Sequence, residues 1–272
     1  ERMTAQACVT FSDVTLGYDS HPAVHHLDGV IEKGALLAVV GGNGSGKSTL
    51  MKGIVGILRP MGGACEVAPG TRIAYLPQQS ELDRSFPAQV RDLVSLGLWP
   101  KRGLLGRHRP EDRELVSKAL MAVGLEGFEK RPIDTLSGGQ FQRALFARVL
   151  VQDADLILLD EPFNAIDART VTDLVALIQR WHGEGRTVLV VVHDLDLVRG
   201  NFPEALLLAR RPVAWGDAHR TLAPQNLLHA RRFQQAWDET APLCTVDAES
   251  EPLVAGSAES HRSADQLRKG MA

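Results

Sequence analysis

Gly41-Gly-Asn43-Gly44-Ser45-Gly46-Lys47-Ser48 lies directly between the apolar run Ala35-Leu-Leu-Ala-Val-Val40 and the stretch Thr49-Leu-Met-Lys-Gly-Ile-Val55. The apolar run reads as a buried strand and the following stretch as an apolar-periodic helix. The segment between them therefore forms a strand–loop–helix junction of the pattern GxxxxGK[ST]. Small residues let such a backbone curl until several N–H groups and the helix N-terminus face one anion, with Lys47 reaching the terminal phosphates and Ser48 offering an oxygen to Mg²⁺. At ordinary glycine usage, accident produces this pattern in a chain of this size with a probability on the order of one per cent. A nucleoside triphosphate with Mg²⁺ is the expected ligand, either ATP or GTP, held by Gly41, Asn43, Gly44, Ser45, Gly46, Lys47, Ser48 and Thr49.

Outward from this loop the chain reads as α/β. Leu156-Ile-Leu-Leu159 and Val188-Leu-Val-Val-Val192 are continuously apolar like Ala35–Val40, as strands buried on both faces of a parallel sheet are. Val9-Thr-Phe-Ser12 and Val14-Thr-Leu16 nearly alternate and suggest an antiparallel strand with one solvated face. Val171, Leu174, Val175 and Ile178 predict a helix on the sheet between Asp167 and His182. Val90, Leu93, Val94 and Leu96, then Leu115, Ala119, Leu120 and Val123, predict a helical insertion at about 88–135. Its basic middle, Pro100–Pro110, reads as a solvated linker. From Asp238 to His261 there is no Lys or Arg and six acidic residues, so 238–272 is expected to be a flexible, dispensable tail after a domain spanning 8–237.

Leu156-Ile-Leu-Leu-Asp160-Glu161 ends an apolar strand in two carboxylates, which places both acids at the carboxyl edge of the sheet, where ligands of such folds bind. A solvated acidic turn would look the same in isolation. Beside a phosphate loop, Asp160 is expected to bind Mg²⁺ directly or through water, and Glu161 to orient or deprotonate an attacking water. Leu136-Ser137-Gly138-Gly139-Gln140 precedes the amphipathic Phe141–Val151, so Ser137 and the glycines open another helix N-terminus and imply a second anion site. Ser-Gly-Gly alone would only cap a helix.

With these marks in order from about Val9 to His229, the sequence resembles the nucleotide-binding subunits of ATP-binding cassette (ABC) transporters. The resemblance implies a P-loop NTPase core with a mixed sheet, an N-terminal antiparallel β subdomain and a helical signature arm, with ATP and Mg²⁺ as ligands. It implies that Tyr18 stacks on adenine, that Gln78 in Tyr75-Leu-Pro-Gln78 is the lid glutamine sensing Mg²⁺ and the γ-phosphate, and that His193 is the switch histidine. Asp167, in Asn164-Ala-Ile-Asp167, resembles the aspartate of the loop crossing between subunits. Gly42 stands where proline is common, and Ile166 where leucine is usual. Ser137, Gly139 and Gln140 would serve the other subunit, so that a homodimer sandwiches two ATP molecules between Lys47 and His193 of one chain and Ser137 and Gly139 of the other.

The longest apolar runs fall far short of the roughly 20 residues a membrane-spanning helix needs, and no signal-peptide pattern opens the chain. The expectation is a cytoplasmic ATPase, peripheral on the cytoplasmic face of the cell (inner) membrane and attached to separate integral permease subunits. Thirty basic against 33 acidic residues give a net charge of −3, which offers no global attraction for nucleic acid; no nucleic-acid partner is expected. A soluble ABC ATPase acting on DNA or the ribosome would be marked by long heptad coils or a second cassette, and neither pattern is present. Cys8, Cys65 and Cys244 lack metal or disulfide spacing and read as inert thiols. After the lid glutamine, Phe86-Pro87, Val90 and Asp92-x-Val94-x-x-Gly97 resemble ATPases that import zinc or manganese. Zinc import, with an extracytoplasmic metal-binding protein delivering the cargo, is the favoured expectation; manganese, iron-siderophore or haem are the alternatives. His25-His26 reads as a core or solvated pair rather than a metal site.

Overall fold

A computed structural model describes residues 6–19, 21–82, 84–99 and 109–239, which belong to one unit of the chain. The expected tail beyond residue 239, Cys244 and most of the basic linker lie outside the described residues. Two sheets are formed. The first is antiparallel, in the order β2-β1-β4, from β1 (Ala7–Tyr18), β2 (His21–Glu32) and β4 (Gly62–Val67). The second has the order β5-β6-β7-β3-β8-β9, from β3 (Leu36–Val40), β5 (Ile73–Leu76), β6 (Leu156–Leu159), β7 (Thr187–Val191), β8 (Glu204–Ala209) and β9 (Arg211–Asp217). All its neighbours run parallel except the β8–β9 hairpin.

The continuous apolar runs have a simple cause: each strand side chain alternates between two cores. Leu37, Val39, Leu158, Leu189, Val191 and Leu206 face the antiparallel sheet and α1 (Lys47–Val55). Ala38, Val40, Ile157, Leu159, Val190 and Leu207 face the other way. There they meet α4 (Gly138–Gln152) and α5 (Ala168–Gly183), where Phe146 stacks on Trp181 with ring centroids 5.7 Å apart. Both rings are almost fully buried, so this pair locks α4 against α5.

The insertion contains α2 (Val90–Ser95) and α3 (Pro110–Ala122), flanked by short 3-10 turns at Leu96–Leu98 and Ile133–Thr135. Two of the apolar residues that marked these helices are nonetheless exposed. Leu115 is 44% exposed, because the buried face of α3 runs through Val116, Ala119 and Leu120 and leaves Leu115 one position off it. Leu96 is 39% exposed, since α2 ends before it. Beyond the sheet follow α6 (Leu195–Asn201), α7 (Ala218–Thr221) and α8 (Pro224–Glu239). Burial raises the Cys8 thiol pKa and pushes that of Cys65 up to about 11. His25 is fully buried on β2 and, with burial as the main cause, its pKa falls to about 4. No cluster of three metal-ligating side chains occurs among the described residues.

Candidate functional site

The carboxyl ends of β3, β5, β6 and β7 converge on one cavity of about 910 Å³. The loop after β3 wraps it. Gly46 caps α1 with φ 96°, and a Cβ there would come within 2.5 Å of the Ala23 carbonyl and 2.6 Å of Val24 Cγ2. Only glycine lets β2 approach the helix start so closely. Asn43, Gly44, Ser45, Gly46, Lys47, Ser48 and Thr49 all line the cavity. Lys47 is 4% exposed, and its ammonium donates to the Gly41 carbonyl at 3.0 Å and the Gly42 carbonyl at 2.8 Å. Burial lowers its pKa, while Glu161 and Asp160 oppose that shift by their charge.

Asp160, directly after β6, is 1% exposed, and neither carboxylate oxygen has a hydrogen-bond partner among the described residues. Burial raises its pKa and the charge of Glu161 adds to this, whereas the Ser48 hydroxyl beside it pulls the other way. A buried carboxylate with only hydroxyls beside it is poorly compensated. It is the group a divalent cation would neutralise, and Ser48 supplies a second oxygen, so the residues present fit Mg²⁺.

Glu161 is the hub. It takes a left-handed backbone conformation, φ 51°, uncommon outside glycine and costly unless the surroundings hold it. Its Oε2 accepts hydrogen bonds from Gln78 Nε2 at 2.8 Å and Asn164 Nδ2 at 2.5 Å, and its Oε1 lies 2.7 Å from His193 Nε2. Each partner has its own support. Gln78 follows β5 by two residues. His193 follows β7 and is fixed from behind by Asp194, which caps α6 through the backbone N–H groups of Asp196 and Leu197. The hub therefore joins three segments of chain at one carboxylate that faces the phosphate loop, an arrangement able to polarise a water beside a phosphate.

The remaining expected residues are placed elsewhere. Tyr18 ends β1 opposite His21, is 47% exposed and is absent from the cavity lining. Beyond the loop the wall is supplied instead by Ala23 and Arg210, neither of which the sequence suggested. Arg210, with φ 59°, sits in the turn between β8 and β9, and its backbone N–H donates to the Ser45 carbonyl at 2.9 Å. The continuously apolar Ala205–Ala209 followed by Arg-Arg-Pro was the available signal for that hairpin. Ser137, Gly139 and Gln140 also lie outside the cavity. Ser137 Oγ accepts from the Gln140 N–H at 3.2 Å and Gln140 Oε1 from the Ser137 N–H at 3.1 Å, a reciprocal cap at the start of α4. Asp167 caps α5, accepting from the Thr170 N–H at 2.9 Å and hydroxyl at 2.8 Å, and these bonds lower its pKa. A Cβ on Gly139 would lie 3.3 Å from Asp167 Oδ2, so the signature start and the Asp167 loop share one surface.

Residues 24–164 match the sequence profile of the family described as ABC transporter. The manganese transport system ATP-binding protein MntB of Listeria monocytogenes is 38% identical over 80% of this chain and 93% of its own length. The zinc transport system ATP-binding protein TroB of Treponema pallidum is 41% identical over 76% of this chain and 80% of its own. Among solved structures, a dimeric bacterial ABC transporter cassette superposes with a TM-score of 0.69 at 25% identity, covering 78% of this chain and 99% of that one. With the phosphate loop, the paired acids and the capped Ser-Gly-Gly helix on one α/β frame, the chain belongs to the ABC transporter family as one of its ATP-hydrolysing cassettes.

Proposed function

We propose that this chain is the ATPase subunit of an importer for a divalent transition metal, zinc ahead of manganese. Its closest support is the segment that follows the lid glutamine. Phe86-Pro87 to Gly97 resembles the corresponding segment of zinc and manganese importers, and in this fold it forms the rim of an apolar groove of about 340 Å³, lined by Phe86, Leu93, Leu96, Ile133 and Phe141. Phe86 is 65% exposed and Trp99 55%, apolar surface of the kind that partners cover. A permease helix or loop is the proposed occupant, and a groove fitted to one permease type gives a physical reason for the segment's sequence to track cargo. An extracytoplasmic metal-binding protein would deliver the ion. The relatives named for zinc and for manganese support the metal class. Among the described residues no helix is long and apolar enough to cross a membrane, so the transport path belongs to the permease.

In the catalytic cycle proposed here, Lys47 and the backbone N–H groups of the loop hold the ATP phosphates. Ser48, Asp160 and Gln78 would hold Mg²⁺, which neutralises charge on the β- and γ-phosphates. Glu161 accepts a proton from the attacking water, and His193 fixes the carboxylate and faces the γ-phosphate. Because Ser137, Gly139 and Gln140 do not line the Lys47 cavity, they are assigned to the ATP of a second copy. ATP then joins two chains, and loss of the γ-phosphate releases them.

Cargo is tested by deleting the gene and measuring cell metal under chelation. Zinc, or failing that manganese, should fall several-fold and recover on complementation; unchanged metals with a defect in an organic nutrient would overturn the assignment. Coupling is tested at Arg84, whose Nη2 donates to the Leu136 carbonyl at 2.5 Å and whose guanidinium lies 4.7 Å from the centre of the Phe141 ring. It ties the lid segment to the signature start beside Phe141, which lines the groove. Arg84→Ala should lower permease-stimulated turnover about tenfold, the scale of one charged hydrogen bond, with ATP affinity preserved. Full stimulation in the variant would remove Arg84 from the coupling route.

A further inference from the structure

One side chain of the C-terminal helix reaches the phosphate loop from outside. Leu227, Ala230 and Phe233 seat α8 on the core, which brings the next residue, Gln234, over the loop. Gln234 Nε2 donates to the Asn43 carbonyl, and Asn43 lines the nucleotide cavity. The amide occupies the room left by the missing side chain of Gly42: a Cβ at that position would meet Gln234 Oε1 and fall 3.1 Å from its Cδ and Nε2. Gly41, Gly42 and Gly44 surround Asn43, so this part of the loop has the widest backbone freedom in the site and the least restraint of its own. Lys47 tethers it as well, its ammonium donating to the Gly41 and Gly42 carbonyls, and the Ser45 N–H donates back to the Gly42 carbonyl at 3.3 Å. That ammonium must turn to the phosphates when ATP arrives, whereas Gln234 bonds a carbonyl and leaves the N–H groups of the loop for the anion.

We propose that Gln234 is a positioning residue for ATP, a latch seated in the notch of Gly42 that holds the phosphate loop in its binding shape after Lys47 has let go. The latch restrains ground state and transition state alike, so its loss reads in ATP affinity and KM and not in kcat. It rests on ATP as the ligand of the loop and is independent of the cargo. Saturable ATP binding by the wild-type full chain, measured in the same titration, reports on the ligand separately.

The test is a double-mutant cycle in the full chain, read by ATP titration and steady-state turnover. Gln234→Ala removes the donor, and Gln234→Glu keeps the shape but cannot donate. Gly42→Ala evicts Gln234, because the atoms it meets are the movable end of a flexible side chain. Each variant should raise the Kd and KM for ATP about 2- to 10-fold, the scale of one hydrogen bond, with kcat within about twofold. The Gln234→Ala, Gly42→Ala double variant should be no weaker than either single one, since both remove the same contact. A wild-type KM in Gln234→Ala or Gln234→Glu, or a double variant weakened by the product of the two effects, would overturn the proposal.

Discussion

Glu161→Gln is expected to lower ATP turnover by about 10²- to 10⁴-fold, the usual contribution of a positioned general base, while ATP binding persists. The substitution keeps the planar side chain that Gln78, Asn164 and His193 converge upon. The amide cannot accept a proton from water. It also removes a negative charge facing the loop, which relieves repulsion between Glu161 and the phosphates and strengthens the ATP-bound state. A dimer held closed by ATP should therefore accumulate, visible by size-exclusion chromatography with Mg²⁺ and ATP and dispersing in ADP. Wild-type turnover in this variant would strip Glu161 of its assigned role.

Lys47→Ala acts on the opposite charge. The ammonium is buried against the loop, and the charges of Glu161 and Asp160 favour it as a cation. In the proposed cycle the ammonium exchanges its two carbonyl hydrogen bonds for phosphate oxygens; at about 1.5–3 kcal/mol for each charge-assisted bond, ATP affinity should fall roughly 10²- to 10⁴-fold without it. A second effect follows in the protein itself. With the cation gone, Asp160 remains buried beside Glu161, and its pKa, already raised, moves further up. Equilibrium titration with ATP reads the first effect, and unchanged affinity would contradict the role given to the loop.

How much of this was legible in the sequence depends on how local each part is. The loop at 41–48 and the Asp160-Glu161 pair could be read directly, because a strand end and the residues after it form one contiguous stretch whose chemistry and spacing are fixed together. Gln78 and His193 have no such local mark. Each follows a short strand by two residues, and only resemblance placed them; that Glu161 bonds both emerges when β5, β6 and β7 pair in parallel. Arg210 and Gln234 arrive from more than 150 residues downstream, set by the β8–β9 hairpin and by the seating of α8, and neither carries a motif. Leu115 shows what periodicity leaves open: it lies in the helix it helped to predict, yet one position off the buried stripe.

The separation of Ser137 from the cavity of Lys47 has a consequence for how the proposed importer would read the energy state of the cell. If each chain supplies half of two shared sites, closure responds to joint occupancy rather than to either nucleotide alone. With independent filling, half-saturating ATP leaves about a quarter of the pairs fully loaded, and a tenth of saturation about one in a hundred. The assembly then behaves as a coincidence detector: uptake falls with roughly the square of ATP occupancy as the nucleotide pool drains, and an energy-poor cell stops spending ATP on import well before its ATP is gone.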